Sequence, residues 1–231
     1  LQLRSVSLQN TGITKISKRL LPSSIVVVFG GSYGIGKDIV EICEQYGAHV
    51  YSFSRSLNGI DVSKQEDVAK VLKEISEKEG RIDAVINTAG LLDKVPLSNM
   101  DYEEIYKSIY INYIGAIIIA KESYFYLKQT KGTLLLFTSS SYTRGRSLYS
   151  LYSSSKAAIV NFTQALSEEW YDQGIRINCI NPERTKTPMR IKNFGVEPEA
   201  TLLDPKMVAM TSINVLFSSL TGEVIDIKKG V

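Results

Sequence analysis

Histidine occurs once in the 231 residues, at position 49, and cysteine twice, at 43 and 179. The histidine has no partner at ligand spacing and the cysteines lie far apart, so the sequence supports neither a metal centre nor a disulfide framework. A reducing cytoplasm is the expected compartment. Long apolar runs are missing too: none approaches the ~18 residues that would suggest a membrane span. There is no internal repeat and no low-complexity tract. Charge of one sign is in excess only locally. The formal charge is +3, but Arg4, Lys15, Lys18 and Arg19 fall within the first 22 residues, which hold no acid, leaving 23 basic against 24 acidic residues elsewhere. A nearly neutral body argues against nucleic acid as the main partner. Residues 1–23 read as a basic tether whose one patterned stretch, 13–21, ends at Pro22. The rest, 24–231, suits a single domain with one core.

What is present begins with Ile25–Phe29, a continuous apolar run of the kind that a parallel strand buried on both faces requires. A glycine turn follows, with Gly30, Gly34 and Gly36, and then a helical segment over about 37–46. Strand, glycine turn and helix in this order form a dinucleotide-binding opening, because glycines let the backbone turn tightly and approach a pyrophosphate at the helix N-terminus. A second strand over 48–53 ends in Ser54 and Arg55. An acid there would bind the adenosine ribose hydroxyls; a small polar residue and an arginine instead leave room and charge for a 2′-phosphate, which points to NADP.

Further strands are expected at Ala84–Asn87, Thr133–Phe137, 175–180 and 223–227, alternating with helices over about 64–79, 102–128 and 205–219. The fold class is therefore a doubly wound α/β (Rossmann) domain with a mostly parallel sheet. Thr138 to Ser141 lie at the C-terminal edge of a strand, where ligands bind in such sheets. The helix that follows carries Tyr152 and Lys156, one turn apart and on one face. At about 4 Å and an effective dielectric of about 20, an ammonium would favour a phenolate by ~4 kcal/mol, bringing the tyrosine toward proton exchange near neutrality. Tyr142 and Tyr149 lack that lysine, since Arg146 and Ser153 stand four residues after them.

These ordered elements resemble the short-chain dehydrogenases/reductases over nearly all of 24–231: Gly30/Gly34/Gly36, Asp61, Asn87-Thr88-Ala89-Gly90, Asn112, Ser139, Tyr152-x-x-x-Lys156 and residues 178–187. The resemblance implies that Tyr152 is the general acid and Ser139, thirteen residues earlier, the catalytic serine. It implies that Lys156 binds the nicotinamide ribose and lowers the tyrosine pKa, and that Asn112 holds a relay water. Implied cofactor contacts are Gly30, Ser32, Gly34, Ile35, Gly36, Ser54, Arg55, Asp61, Val62, Asn87, Ala89, Gly90, Pro182, Thr185 and Thr187, with Tyr152 and Lys156. A homodimer or tetramer through the helices near 102–128 and 152–171 is implied as well.

Two positions depart from the family pattern: Thr88 in the Asn-x-Ala-Gly turn, and Glu183 after Pro182, where the family has glycine. A side chain at 183 is expected to narrow the nicotinamide pocket. Residues 181–199 are similar to the reductase half of bifunctional ribulose 5-phosphate reductase/CDP-ribitol pyrophosphorylases, which make CDP-ribitol for surface polysaccharides. That similarity implies a phosphorylated keto-sugar substrate and a cytidylyltransferase domain ahead of the reductase. Arg184, Lys186, Arg190 and Lys192 crowd the loop expected to cover the nicotinamide, and Arg144 and Arg146 follow the serine. Charge-assisted bonds to phosphate need such donors, although Glu183, Glu197 and Glu199 could balance the loop instead. Reduction of another small ketone or a 3-ketoacyl thioester, and an idle cofactor-binding domain supporting a fused partner, are the competing expectations.

Overall fold

The structure is a computed structural model that describes residues 5–7 and 23–229. The expected patterned stretch at 13–21 lies outside the described residues. Seven strands form one sheet: β1 Ser5–Ser7, β2 Ile25–Phe29, β3 His49–Phe53, β4 Ala84–Asn87, β5 Thr133–Phe137, β6 Arg176–Pro182 and β7 Val224–Ile227. Their spatial order is β1-β7-β6-β5-β4-β2-β3, and every pairing is parallel. From β2 the chain first moves outward to β3 and then crosses back to β4 on the other side. That reversal opens a crevice beyond the C-terminal ends of β2 and β4, where ligands of such sheets bind.

The helices are α1 Gly34–Gln45, the short α2 Arg55–Asn58, α3 Gln65–Glu79, α4 Tyr102–Ile109, α5 Gly115–Thr130, α6 Ser150–Glu169, α7 Pro188–Phe194 and α8 Pro205–Leu216. Alternate residues of β2 explain the layering. Val27 and Phe29 face one way, toward Leu72 and Ile75 of α3, Ile119 and Leu127 of α5 and Ile159 of α6. Val26 and Val28 face the other, toward Ile39 and Ile42 of α1 and Val208 and Ile213 of α8. Leu72 is fully buried, so truncation to alanine would cost about 2–5 kcal/mol.

The structure departs from the sequence pattern in four places. Ser5–Ser7, within the expected tether, pairs as an edge strand with Val224 to Asp226. The first helix begins at Gly34 rather than three residues later, so the last two glycines of the turn are its first residues. The region expected as one helix over 102–128 is interrupted by a π-helical turn, Tyr110–Ile114, with Asn112 at its centre. Asp101 caps α4 with a reciprocal Glu104 bond, a start signal that the apolar pattern alone does not display. Finally, the loop expected to cover the nicotinamide contains α7, which begins at Pro188 behind a Thr187 cap and ends at Gly195.

Candidate active site

A cleft of about 550 Å3 lies along the C-terminal ends of β2, β4, β5 and β6, within the size range of small-molecule and cofactor sites. One wall is the β2–α1 turn. Gly30 has φ +89°, and a Cβ there would lie 2.5 Å from the Ala89 nitrogen; one on Gly36 would lie 2.4 Å from the Gly30 carbonyl oxygen. Only glycine fits either place, and the packing leaves Ser32 to Gly36 lining the cleft at the start of α1. The N-cap of α1, Tyr33, makes no side-chain cap bond, and the first turn has no acid. Such a helix start, with free amides and no acid, can take a phosphate group.

Ser54, Arg55, Asp61 and Val62 also line the cleft, joined by Ser56, which the sequence pattern did not single out. The Ser56 hydroxyl donates to Ser32 Oγ at 3.1 Å and lies 3.3 Å from Ser54 Oγ. Ser54 accepts the Leu57 amide and so starts α2, which presents Arg55 at the rim. Arg55 stands 3.9 Å from Asp61. Burial pulls the Asp61 carboxyl upward, but bonds from the Ser63 hydroxyl and amide, with the Arg55 charge, outweigh it and hold the group below its usual range.

At the other end stand Ser139, Tyr152 and Lys156. Ser139 caps the short 3-10 turn Ser140–Tyr142, and its Oγ accepts from the Ser141 amide and hydroxyl at 3.4 and 3.3 Å. Ser141, which the sequence places only at the ligand-binding edge of this strand, therefore orients the serine. Helix α6 is moored to β5: Thr138 Oγ1 donates to the Lys156 carbonyl at 2.6 Å, and Lys156 Nζ donates to the Phe137 carbonyl at 2.9 Å.

The electrostatics differ from the expectation of a lysine-lowered phenol. Lys156 Nζ sits 5.5 Å from the Tyr152 ring centroid, occupied by the Phe137 carbonyl. Burial pushes Tyr152 up to about 12; the Ser139 hydrogen bond opposes it, and Tyr149 adds to it. Burial also pushes Lys156 down to about 8. The shared helical face is as expected, but desolvation outweighs pairwise attraction here.

Three residues expected at the site do not line the cleft. Asn87 lies beneath the turn after β4, its Oδ1 accepting the Ala89 amide at 3.0 Å. Asn112 lies behind Gly90: Nδ2 donates to the carbonyls of Leu91 and Ser108, and Oδ1 accepts the Leu91 amide. Its side chain fixes the Gly90–Leu91 backbone. Lys186 pairs with Glu199 outside the cleft. Arg190 does line it, but forms two bonds to Glu197 at 2.6 and 2.8 Å and stacks 3.7 Å from the Phe194 ring centroid. Lys192 pairs with Asp93 at 3.1 Å. Most of the basic loop is thus balanced by acids.

Pro182, Glu183, Arg184, Thr185 and Thr187 line the floor. Glu183 occupies the cleft wall, with its carboxylate accepting the Lys229 amide at 3.1 Å. Across the cleft, α7 is tied to the opposite rim: Asn193 donates to the Leu92 carbonyl and accepts the Lys94 amide. Tyr149 meets the Phe194 ring edge-on at 5.8 Å.

A family model described as short chain dehydrogenase matches residues 24–195. The chain belongs to that family. It is 54% identical over 222 residues to the bifunctional ribulose 5-phosphate reductase/CDP-ribitol pyrophosphorylase Bcs1 of Haemophilus influenzae, covering 96% of this chain and 46% of that one. The chain thus spans about half the length of that relative. Among solved structures it resembles the 3-ketoacyl-(acyl-carrier-protein) reductase of Brucella melitensis complexed with NADH, with a TM-score of 0.83, 20% identity, and coverage of 90% and 97% of the two chains. It also resembles ElxO with NADP bound, with a TM-score of 0.79, 24% identity, and coverage of 88% and 96%. At those identities the likeness is one of fold. No helix among the described residues is long and apolar enough to cross a membrane.

Proposed function

We propose that this chain is an NADPH-dependent carbonyl reductase that converts D-ribulose 5-phosphate to D-ribitol 5-phosphate. The observation that carries this reading is the 54% identity to a chain bearing ribulose 5-phosphate reductase in its name, which extends over 96% of the residues here. In a longer bifunctional chain the product would pass to a cytidylyltransferase and yield CDP-ribitol in the cytoplasm.

The glycine cradle accepts a pyrophosphate, and Arg55 with the Ser32, Ser54 and Ser56 hydroxyls suits a 2′-phosphate. When bound, the nicotinamide would supply hydride to the carbonyl carbon. The protein's part is to manage the charge that develops on oxygen. Tyr152, held near 12, is a protonated acid at neutral pH and gives its phenolic proton to that oxygen. Ser139, steadied by Ser141, donates a hydrogen bond to the same atom. Lys156, near 8, changes charge close to neutrality and can help return a proton to the tyrosine.

The test is NADPH oxidation by the purified protein with D-ribulose 5-phosphate, D-ribulose and acetoacetyl-coenzyme A. Remote phosphate binding should raise kcat/KM for the phosphorylated sugar well above that for the free sugar. Equal efficiency on both sugars, or a preference for the thioester, would reject the pentose-phosphate reading and leave a reductase of another ketone.

A further inference from the structure

Five cations line the cleft: Arg55, Arg146, Lys156, Arg184 and Arg190. Three are already engaged by the protein. Arg55 faces Asp61, Arg190 grips Glu197, and Lys156 is bound to the Phe137 carbonyl. Arg184 makes no bond to an acid among the described residues; its charge only adds, behind the Arg190 bond, to the pull that holds the Glu197 carboxyl low. Among the described residues, Arg146 and Arg184 are the two of the five with no acidic group or carbonyl taking the guanidinium, and of the two Arg146 is the one fastened to the helix of Tyr152.

Its placement is specific. The Arg146 amide donates to Ser153 Oγ at 3.3 Å, and Ser153 is buried in α6 directly after Tyr152. The loop that carries Arg146 is thereby fastened to the helix that carries the proton donor. Two residues on, Leu148 adopts φ +71°, a left-handed conformation that a γ-branched side chain adopts only at a cost. Tyr149, with its ring 6.3 Å from that of Tyr152, closes the same wall. A free, permanently charged planar donor lies at the Ser139–Tyr152 end of the cleft, away from the serine and arginine cluster at the other end.

We propose that Arg146 is the substrate-phosphate anchor and sets the preference for a phosphorylated keto-sugar over its free sugar. The proposal rests on the reductase reading above and refines it, because Lys186, Arg190 and Lys192 of the basic loop are paired with Glu199, Glu197 and Asp93. In D-ribulose 5-phosphate, three carbons and an ester oxygen separate the carbonyl from the phosphorus. With its backbone tethered one residue from the proton donor, Arg146 can therefore offer its guanidinium to the phosphate while the carbonyl meets Tyr152.

The experiment compares wild type, Arg146→Gln and Arg146→Lys for kcat/KM on D-ribulose 5-phosphate and D-ribulose, with NADPH affinity measured by fluorescence titration. Arg146→Gln should lower the ratio of the two efficiencies by about 10- to 100-fold, through a higher KM for the phosphorylated sugar. Arg146→Lys should restore part of it, and NADPH affinity should stay within about twofold of wild type. If wild type prefers the phosphorylated sugar and Arg146→Gln keeps that preference, the anchor lies elsewhere and only this proposal falls. A matching loss of NADPH affinity would make Arg146 a cofactor residue and overturn it too. No preference in wild type would reject both readings.

Discussion

Burial displaces Tyr152 and Lys156 in opposite senses, the phenol up to about 12 and the ammonium down to about 8. A lysine whose folded pKa lies below its unfolded value destabilises the fold while it is charged in both states. That penalty is complete below about pH 8 and disappears as pH rises to the unfolded value near 10.5. Replacing Lys156 with methionine should therefore stabilise the protein at pH 7 by up to about 3 kcal/mol, with the gain shrinking toward pH 10. Urea unfolding of both proteins at the two pH values measures it; a gain independent of pH would mean packing rather than charge. Tyr152→Phe should abolish nearly all turnover and leave NADPH binding close to wild type, because only the transferable proton is lost. Stopped-flow turnover and cofactor titration check this, with Tyr149→Phe as a comparison for ring packing. The Tyr-Lys spacing was legible in the sequence because helical periodicity is local. The direction of the pKa shifts was not: Phe137, nineteen residues from Lys156, holds the ammonium, and that contact exists only once β5 and α6 meet.

At the scale of elements, the proposed preference for NADPH rests on the β2–α1 unit and the short α2. Arg55 leans on Asp61 across a gap of 3.9 Å and is half-exposed, so it can turn to a phosphate at little cost. Arg55→Ala should weaken NADPH binding by about one to two orders of magnitude and NADH binding little. Isothermal titration with both cofactors decides it, and equal losses would give Arg55 another role. The strands were readable because all five residues of β2 and of β5 are buried, and burial on both faces imposes unbroken apolar runs. Helix α7 was not, since its seven residues start at a proline and carry no buried side chain. Its position depends on Asn193 and Lys192 reaching residues about a hundred positions earlier. The π-helical turn at Tyr110–Ile114 was equally hidden, for it arises where Asn112 binds the Leu91 backbone.

Across the whole molecule, the parallel sheet places the chemistry at one edge and gathers there segments far apart in sequence. The doubly wound class follows from strands alternating with helices, and the strand order adds the crevice between β2 and β4. The edge strand Ser5–Ser7 escaped sequence reading, as three residues of mixed polarity show neither periodicity nor turn signals. The same sheet brings Lys229, just beyond β7, to the floor of the cleft. Lys229 gives its amide to the Glu183 carboxylate and its ammonium to the carbonyls of Glu199 and Leu202. Glu183 therefore clasps Lys229 just beyond β7, and whatever steadies Glu183 steadies that residue. Amide hydrogen exchange would register the link: NADPH should slow exchange at Lys229 several-fold in the wild-type protein and far less in Glu183→Gly, which removes the acceptor. Unchanged exchange at Lys229 on cofactor binding would mean that the C-terminal end and the floor of the site fluctuate independently.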